Sequence, residues 1–487
     1  MSALEQMDWL LLSRLGLPLL LPIGAGLLIV VLSPFWKRGG FAISLIALIA
    51  SFFFAWQEWF TGSTLRMGML LFDRFAYCFD LILGAAALLT LFLSKEYLDQ
   101  EKIGPGEYYA LVQFATAGTM LIAHAGDLIL LFLGLEIAAL STYILSGMKG
   151  GAIRSLESAL KYYILGSFAS GFFLYGIAMM YGAAGSTSLA SLQNLTIPPA
   201  EPILVMVAVA LILIGAGFKI AAVPFHLWSP DVYEGAPTSA TAFMASVIKA
   251  AGFAALMRIV IGLGHLPDIP WGTILWILAA LTMTVGNLVA ILQTNIKRML
   301  AYSSIAHAGY ALVGIAAALQ QNALNESTLG AVLFYLFAYS LMTIGAFAIV
   351  IAIGRRGDEA EELSDYSGLA KKYPLLAAAL TIFLLGLTGF PPTIGFVGKF
   401  YLFAGAIEAG LYGLVIIGVL NSALSAYYYL GPIVKMYFQE EKGYELPPLS
   451  YSLLIGIFTC LFLVLYLGIF PSDLYLMARE SVREVVF

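Results

Sequence analysis

Residues 215–230 read GAGFKIAAVPFHLWSP. Lys219 stands in an otherwise apolar run that begins near Ile203, and Pro224 follows it by five residues. Proline removes a backbone donor and clashes with the preceding turn, so a helix through this run breaks beside its lysine. A second stretch repeats the arrangement: residues 384–403, LLGLTGFPPTIGFVGKFYLF, place Pro391 and Pro392 shortly before Lys399. Charge is expensive in hydrocarbon, and irregular backbone is tolerated there only when buried in protein or lining a wet cavity. Broken helices at corresponding places in two halves of a chain point to an inverted-repeat transporter.

The surrounding sequence fits that expectation. Of 487 residues, 61% are hydrophobic and 11% charged, whereas soluble chains carry roughly 25% charge. This excludes a conventional cytosolic enzyme and indicates a polytopic membrane protein. Apolar runs of about 20 residues, long enough for a helix to cross a core of about 30 Å, occur fourteen times. They cover Leu17 to Phe35, Phe41 to Phe60, Phe75 to Leu93, Tyr108 to Ala125, Leu128 to Met148, Ala159 to Tyr181 and Ile203 to Trp228. The second seven cover Ala240 to Leu263, Ile274 to Gln293, Met299 to Leu319, Leu329 to Ile353, Leu375 to Ala409, Leu411 to Tyr437 and Leu453 to Phe470. The expected fold is an all-α polytopic membrane bundle of about fourteen transmembrane helices, with the seventh and twelfth broken. Spans four to eight and nine to thirteen form two inverted five-helix units, with the broken helix fourth in each. The expected divisions are 1–106 for spans one to three, 107–264 and 265–438 for the two units, and 439–487 for span fourteen and the C-terminus. The first run follows acidic Glu5 and Asp8 without a small-residue cleavage pattern, and reads as a retained helix.

The 24 basic residues divide unevenly. Odd-numbered loops and the span ends facing them hold Lys37, Arg38, Lys95, Lys102, Lys149, Arg154, Lys297, Arg298, Arg355, Arg356, Lys371, Lys372, Lys435 and Lys442. The opposite side holds Arg14, Arg66, Arg74, Arg258, Arg479 and Arg483. The positive-inside rule then puts the odd loops in the cytoplasm and both termini outside. Lys161, Lys219, Lys249 and Lys399 remain, all inside apolar spans. A lysine at a helix centre costs roughly 2.5 to 3.5 kcal/mol, so four without compensation would cost about 10 kcal/mol. They are therefore expected to face the interior and to have partners. Glu136, in LFLGLEIAALS (131–141), is the acidic residue read as similarly deep. Lys161 follows Glu157 by four residues, and a local ion pair accounts for it as well as a functional role does. Lys219, Lys249 and Glu136 lie near span midpoints, where snorkelling to the interface is difficult.

Further polar residues extend this line. Ser303, His307 and Tyr310 share one face of span ten, Ser422, Ser425 and Tyr429 share one of span thirteen, and Asn287 lies in span nine. Ordinary interhelical hydrogen bonds, about 0.6 kcal/mol each, explain the hydroxyls. His307 is better suited to proton exchange, because an unperturbed imidazole titrates near 6.5. His226, two turns beyond Lys219, fits a relay or a core histidine equally, while His124 and His265 are expected at the interface. Burial weakens a lysine's hold on its proton, and a carboxylate within about 4 to 6 Å restores it. A swing of about three pKa units is worth roughly 4 kcal/mol, and moving one charge against about 150 mV costs roughly 3.5 kcal/mol. Displacing Glu136 relative to Lys219 could thus drive one proton uphill. With only Cys78 and Cys460, no phosphate loop and no bis-His pair at helical spacing in a single span, no cofactor is expected in this chain, and any redox or nucleotide chemistry must lie on a partner. The acidic segment from Arg355 to Lys372, with Asp358, Glu359, Glu361, Glu362 and Asp365, is expected to be a solvated cytoplasmic loop available to a neighbouring subunit.

Three stretches carry a resemblance that covers nearly the whole chain. FKIAAVPFHLWSPDVYEGAPTSATAFMASVIKAAGFAALMR (218–258), QTNIKRMLAYSSIAHAGYALVG (293–314) and GFPPTIGFVGKFYLF (389–403) closely resemble the antiporter-like N subunits of the proton-pumping NADH:quinone oxidoreductase, respiratory complex I. The resemblance implies fourteen helices with inverted repeats and a central hydrophilic axis. It implies that Glu136 pairs with Lys219, that Lys249 continues the path and Lys399 ends it. Lys161 matches an additional lysine of the family, and His226 and His307 match connecting histidines. It implies a proton-translocating subunit of a bacterial cytoplasmic membrane, driven by NAD(H) or another donor, FMN, iron–sulfur clusters and quinone on partner subunits. The implied neighbours are an M-type antiporter-like subunit, small membrane subunits and the lipid bilayer, with no nucleic acid. L-type subunits carry a long lateral helix after span fourteen, for which residues 471–487 are too short, and M-type subunits carry glutamate where this chain has Lys399. A subunit of a multisubunit Na+/H+ antiporter is the alternative, disfavoured by the DVYEGAP segment after Trp228. A passive scaffold or quinone-binding membrane subunit is a second alternative, and the buried lysines argue against it.

Overall fold

The computed structural model describes residues 9–36, 39–193, 202–266, 269–320, 325–354, 359–440, 445–446, 448–483 and 485, with backbone alone for residues 9–13. Glu5, Asp8, Lys37, Arg38, Arg355, Arg356, Asp358 and Lys442 lie outside the described residues. Helices α1 (Trp9–Leu32) and α2 (Gly39–Thr61) lead into a short hairpin of β1 (Leu65–Met67) and β2 (Leu70–Phe72). Then follow α3 (Arg74–Glu101), α4 (Pro105–Ala123), α5 (Leu128–Ser146), α6 (Ile153–Ala184) and α7 (Leu189–Gln193). The first break separates α8 (Pro202–Lys219) from α9 (Trp228–Gly235). α10 (Thr238–Phe243) runs through a π-helical segment, Met244–Ile248, into α11 (Lys249–Leu263). The second half comprises α12 (Trp271–Ala290), α13 (Ile296–Ala318), α14 (Glu326–Ile353), α15 (Leu369–Lys372), α16 (Pro374–Thr388), α17 (Ile394–Glu408), α18 (Tyr412–Phe438), α19 (Tyr451–Ile469) and α20 (Ser472–Arg483).

Among the described residues, twelve helices are long and apolar enough to cross a membrane. The chain is a polytopic, all-α integral membrane protein. The two remaining apolar runs are carried by α4 and by the shorter α16 with α17. The helix from Thr238 to Leu263, with α13 and α14, is almost wholly buried and forms the centre of the bundle. α1, α2, α6, α18 and α19 present exposed apolar side chains on their outer faces, as lipid requires. Apolar contact gives no net driving force in lipid, so tight backbone packing must hold the helices together. A Cβ on Gly118 of α4 would lie 2.7 Å from the backbone nitrogen of Ala138 in α5, and one on Gly286 of α12 would lie 2.6 Å from that of Ala306 in α13. Only glycine permits either approach.

Both breaks fall where the prolines place them. α8 stops at Lys219, and the amides and carbonyls released there are partly re-satisfied. Trp228 Nε1 donates to Phe218 O at 3.0 Å, and the Val223 amide donates to Thr282 Oγ1 at 3.0 Å. α16 ends at Thr388 against Gly389, whose φ of +92° suits a residue without a side chain.

Three expectations about charge are corrected. Arg258, counted among the charges at span ends that orient the chain, is fully buried in α11 and bound bidentately to Asp73 at 2.8 Å. Lys297, assigned to a loop, is fully buried and donates to Ala236 O at 2.8 Å and to Glu361 and Glu359 at 3.1 and 3.2 Å. Part of the acidic segment after α14 is accordingly tucked inward, while Glu362, Ser364, Lys371 and Lys372 remain exposed. Glu359 also meets Lys149 at 3.3 Å and accepts from the Tyr97 hydroxyl, while Ala360 and Tyr366 are buried. Burial alone would raise the Glu359 carboxyl, but the charges of Lys297 and Lys149 outweigh it and hold it at about 2. A carboxyl so depressed stabilises the fold above the ordinary carboxylate range and ceases to do so only as pH falls toward that value. Glu359 therefore stays ionised and paired with Lys297 and Lys149 through the neutral range.

Candidate functional site

The site begins at the first break. Lys219 is the last residue of α8, where unpaired carbonyls and the negative end of the helix dipole favour a cation. Its ammonium lies 3.8 Å from Glu136 Oε1 of α5 and 6.0 Å from the Tyr143 ring centroid. It makes no hydrogen bond among the described residues although buried. Glu136 also accepts from Ser170 of α6, so the carboxylate is held between a hydroxyl and an ammonium.

Lys249 follows the π-helical segment directly. Such segments re-aim side chains and recur at functional positions. Its ammonium is buried and donates to Ser304 O of α13 at 2.7 Å. One turn further along α13, His307 reaches Tyr335 of α14 at 2.6 Å from Nδ1 and Tyr429 of α18 at 3.1 Å from Nε2. Tyr429 in turn bonds Ser303. His307 lies within electrostatic reach of both Lys249 and Lys399.

Lys399, on α17, closes the second break. Its ammonium donates to Leu387 O at 3.1 Å, Thr388 O at 2.8 Å and Ser422 Oγ at 3.0 Å. Two of these acceptors are the terminal carbonyls of α16, so the lysine caps the severed half-helix. Its fourth side faces the Tyr310 ring, 4.5 Å from the centroid, a cation–π contact. Tyr310 is held by Asn287 Nδ2 at 3.2 Å, which also reaches Asn421, while Tyr428 donates to Asn287 Oδ1 at 2.9 Å.

The structure thus brings Glu136 to Lys219, sets Lys249 of α11 against α13, and places His307 of α13 within electrostatic reach of Lys249 and of Lys399 on α17. Two expected members stand apart. Lys161 is not deep: its side chain is 42% exposed and is paired to Glu157 at 2.8 Å and Asp231 at 2.7 Å in a surface cleft shared with Arg298. His226 is half-buried in the first break, and its Nδ1 has no partner among the described residues. His265 is exposed as expected, whereas His124, expected at the interface, is fully buried. Asp80, bound to His124, had a legible signal: it lies inside the third apolar run, like Glu136 in the fifth. No group of three or more His, Cys, Asp or Glu suited to a metal occurs among the described residues.

Residues 125–425 match the NADH:quinone oxidoreductase/Mrp antiporter transmembrane family, and the chain belongs to that family. NADH-quinone oxidoreductase subunit N of Trichlorobacter lovleyi is 44% identical over 468 residues, covering 95% of each chain. A chain of respiratory complex I from Thermus thermophilus, solved with bound aureothin, is 36% identical with a TM-score of 0.81, covering 95% of this chain and 99% of that one. A chain of the archaeal membrane-bound sulfane sulfur reductase reaches 0.85 at 25% identity, covering 96% and 97%. Shape is shared across these complexes, so sequence makes the finer assignment. Within the family, the chain groups with subunit N of NADH-quinone oxidoreductase.

Proposed function

We propose that this chain is a proton-translocating membrane-arm subunit of an NADH:quinone oxidoreductase in a bacterial cytoplasmic membrane, moving H+ along Glu136, Lys219, Lys249, His307 and Lys399. The observation that carries this reading is that a lysine lies at each helix break, Lys219 against Glu136 and Lys399 against the end of α16, with buried Lys249 and His307 in the same bundle. Partner subunits hold the redox centres and supply the drive, among them an M-type antiporter-like subunit and small membrane subunits. In this reading the chain crosses the bilayer fourteen times with both termini outside. Residues 107–264 and 265–438 form two inverted five-helix units. The paired breaks support the repeat, as does the glycine-mediated packing of α4 on α5 and of α12 on α13, the first two helices of each unit.

The acceptors differ along the line, and this gives it direction. Lys399 has three acceptors and an aromatic face, Lys249 has one acceptor, and Lys219 has only Glu136 at 3.8 Å. Two charges about 4 Å apart interact by about 4 kcal/mol at an effective dielectric of about 20. Withdrawing Glu136 therefore removes most of what keeps the Lys219 proton in place, and that proton passes to better-solvated sites. The amount matches the roughly 3.5 kcal/mol needed per charge against about 150 mV.

Lys399→Ala tests this reading in the assembled complex, reconstituted in sealed vesicles. Proton uptake per complex is expected to fall at least tenfold with assembly intact. Wild-type pumping would instead favour a passive scaffold.

A further inference from the structure

A second buried titratable pair lies away from the lysine line. Asp80, within α3, and His124, at the C-terminal cap of α4, are both fully buried. Asp80 Oδ2 is 2.8 Å from His124 Nε2, and His124 Nδ1 is 2.8 Å from Leu71 O in β2. A carbonyl only accepts, so Nδ1 carries a hydrogen. Nε2 and Oδ2 must then share one further proton, because without it two lone pairs would oppose each other at 2.8 Å. The other carboxylate oxygen, Oδ1, is buried without a hydrogen-bond partner among the described residues, so no fixed donor commits Asp80 to the ionised form.

The surroundings leave that proton uncommitted. The titratable and charged neighbours of the pair are Asp73, the N-cap of α3, with Tyr77 and Cys78 on α3; Arg258 on α11 binds Asp73, and Glu58 on α2 and Arg14 on α1 act on Tyr77. Asp73 is neutralised by Arg258 at 2.8 Å and Glu58 by Arg14 at 2.7 Å. Tyr77 presents its ring edge-on to the imidazole, 5.6 Å between centroids.

We propose that Asp80 and His124 form a second proton-binding site, holding one exchangeable proton at the hairpin end of the bundle, and that its occupancy controls docking of the β1–β2 hairpin. When the shared proton leaves to water at that end, the imidazole turns from the carboxylate and releases Leu71 O. The hairpin is then held to the end of α4 chiefly by Leu71 N to His124 O and Gly126 N to Met69 O, both 2.8 Å. Ala123, beside His124, accepts from Arg258 at 2.8 and 3.1 Å. Movement at the clasp therefore bears on α11, the helix that begins with Lys249.

Hydrogen–deuterium exchange on the assembled complex tests this between about pH 6 and about pH 9, in wild type and Asp80→Asn. An asparagine amide donates to Nε2 with no transferable proton, so that variant keeps the clasp shut. After correction for intrinsic exchange, wild-type protection at the Leu71 and Gly126 amides is expected to fall as pH rises, with a limiting slope of about tenfold per pH unit for one linked proton. Asp80→Asn is expected to show no such slope. Wild-type protection independent of pH, or a parallel fall in the variant, would overturn the proposal. Should the variant not assemble, the wild-type series decides alone. The readout requires no pumping, so failure here is distinct from failure of the lysine path.

Discussion

Lys219→Ala is expected to abolish proton pumping by the assembled complex, reducing it at least a hundredfold, with the subunit still incorporated. Two separate effects contribute. The variant removes the group that accepts and releases the proton, and it leaves Glu136 beside Ser170 without its cation. Glu136→Gln is expected to be milder, about tenfold, because the lysine survives and loses only the interaction of about 4 kcal/mol that switches it. Proton uptake into sealed vesicles, normalised to assembled complex, measures both. Equal effects from the two variants would mean that the pair acts only as a structural tie.

Arg258→Met is expected to have the largest effect on stability. The guanidinium donates to both Asp73 oxygens at 2.8 Å and to Ala123 O, and lies 4.4 Å from the Phe75 ring centroid. Asp73 is also the N-cap of α3, accepting from the Ala76 amide at 2.8 Å. Removing the arginine leaves a buried carboxylate unpaired, which costs about 3 to 5 kcal/mol. Arg258→Lys should fall between, since an ammonium cannot reproduce the fork. Adding Asp73→Asn to Arg258→Met should recover part of the loss, because the cap is kept and the orphaned charge removed. The thermal midpoint of the purified complex reports all three, and a double variant less stable than Arg258→Met would contradict the ion-pair account.

The line of charges was legible in the sequence because its background is so apolar. Lys219, Lys249, Lys399 and Glu136 are conspicuous in runs where charge is costly, and the prolines at 224, 391 and 392 mark both breaks. Lys161 lies in such a run too, and the pair with Glu157 that its spacing offered is formed at 2.8 Å. α6 begins at Ile153, so the lysine lies only two turns inside and reaches the surface acids. Partners across the fold were not legible. Asp73 and Arg258 are 185 positions apart, and Asp80 and His124 are 44 apart, and no periodicity along one helix announces such pairings. Arg258 at a span end and Lys297 between two spans read as charges that orient the chain, because near span ends a buried ion pair and a solvated side chain give the same sequence signal. The Glu359 segment reads as solvent-exposed from its acidity, yet that acidity neutralises Lys297 and Lys149.

In the proposed path between the two breaks Lys249 is the middle link, and Ser304 O is its hydrogen-bond acceptor. The most direct measurement is the number of protons taken into sealed vesicles per electron passed to quinone, together with the pumping rate per complex, for Lys249→Ala and wild type. The path predicts that pumping by the variant collapses while the Glu136–Lys219 pair and the contacts of Lys399 remain intact. Wild-type pumping and a wild-type ratio in a fully assembled Lys249→Ala complex would contradict it.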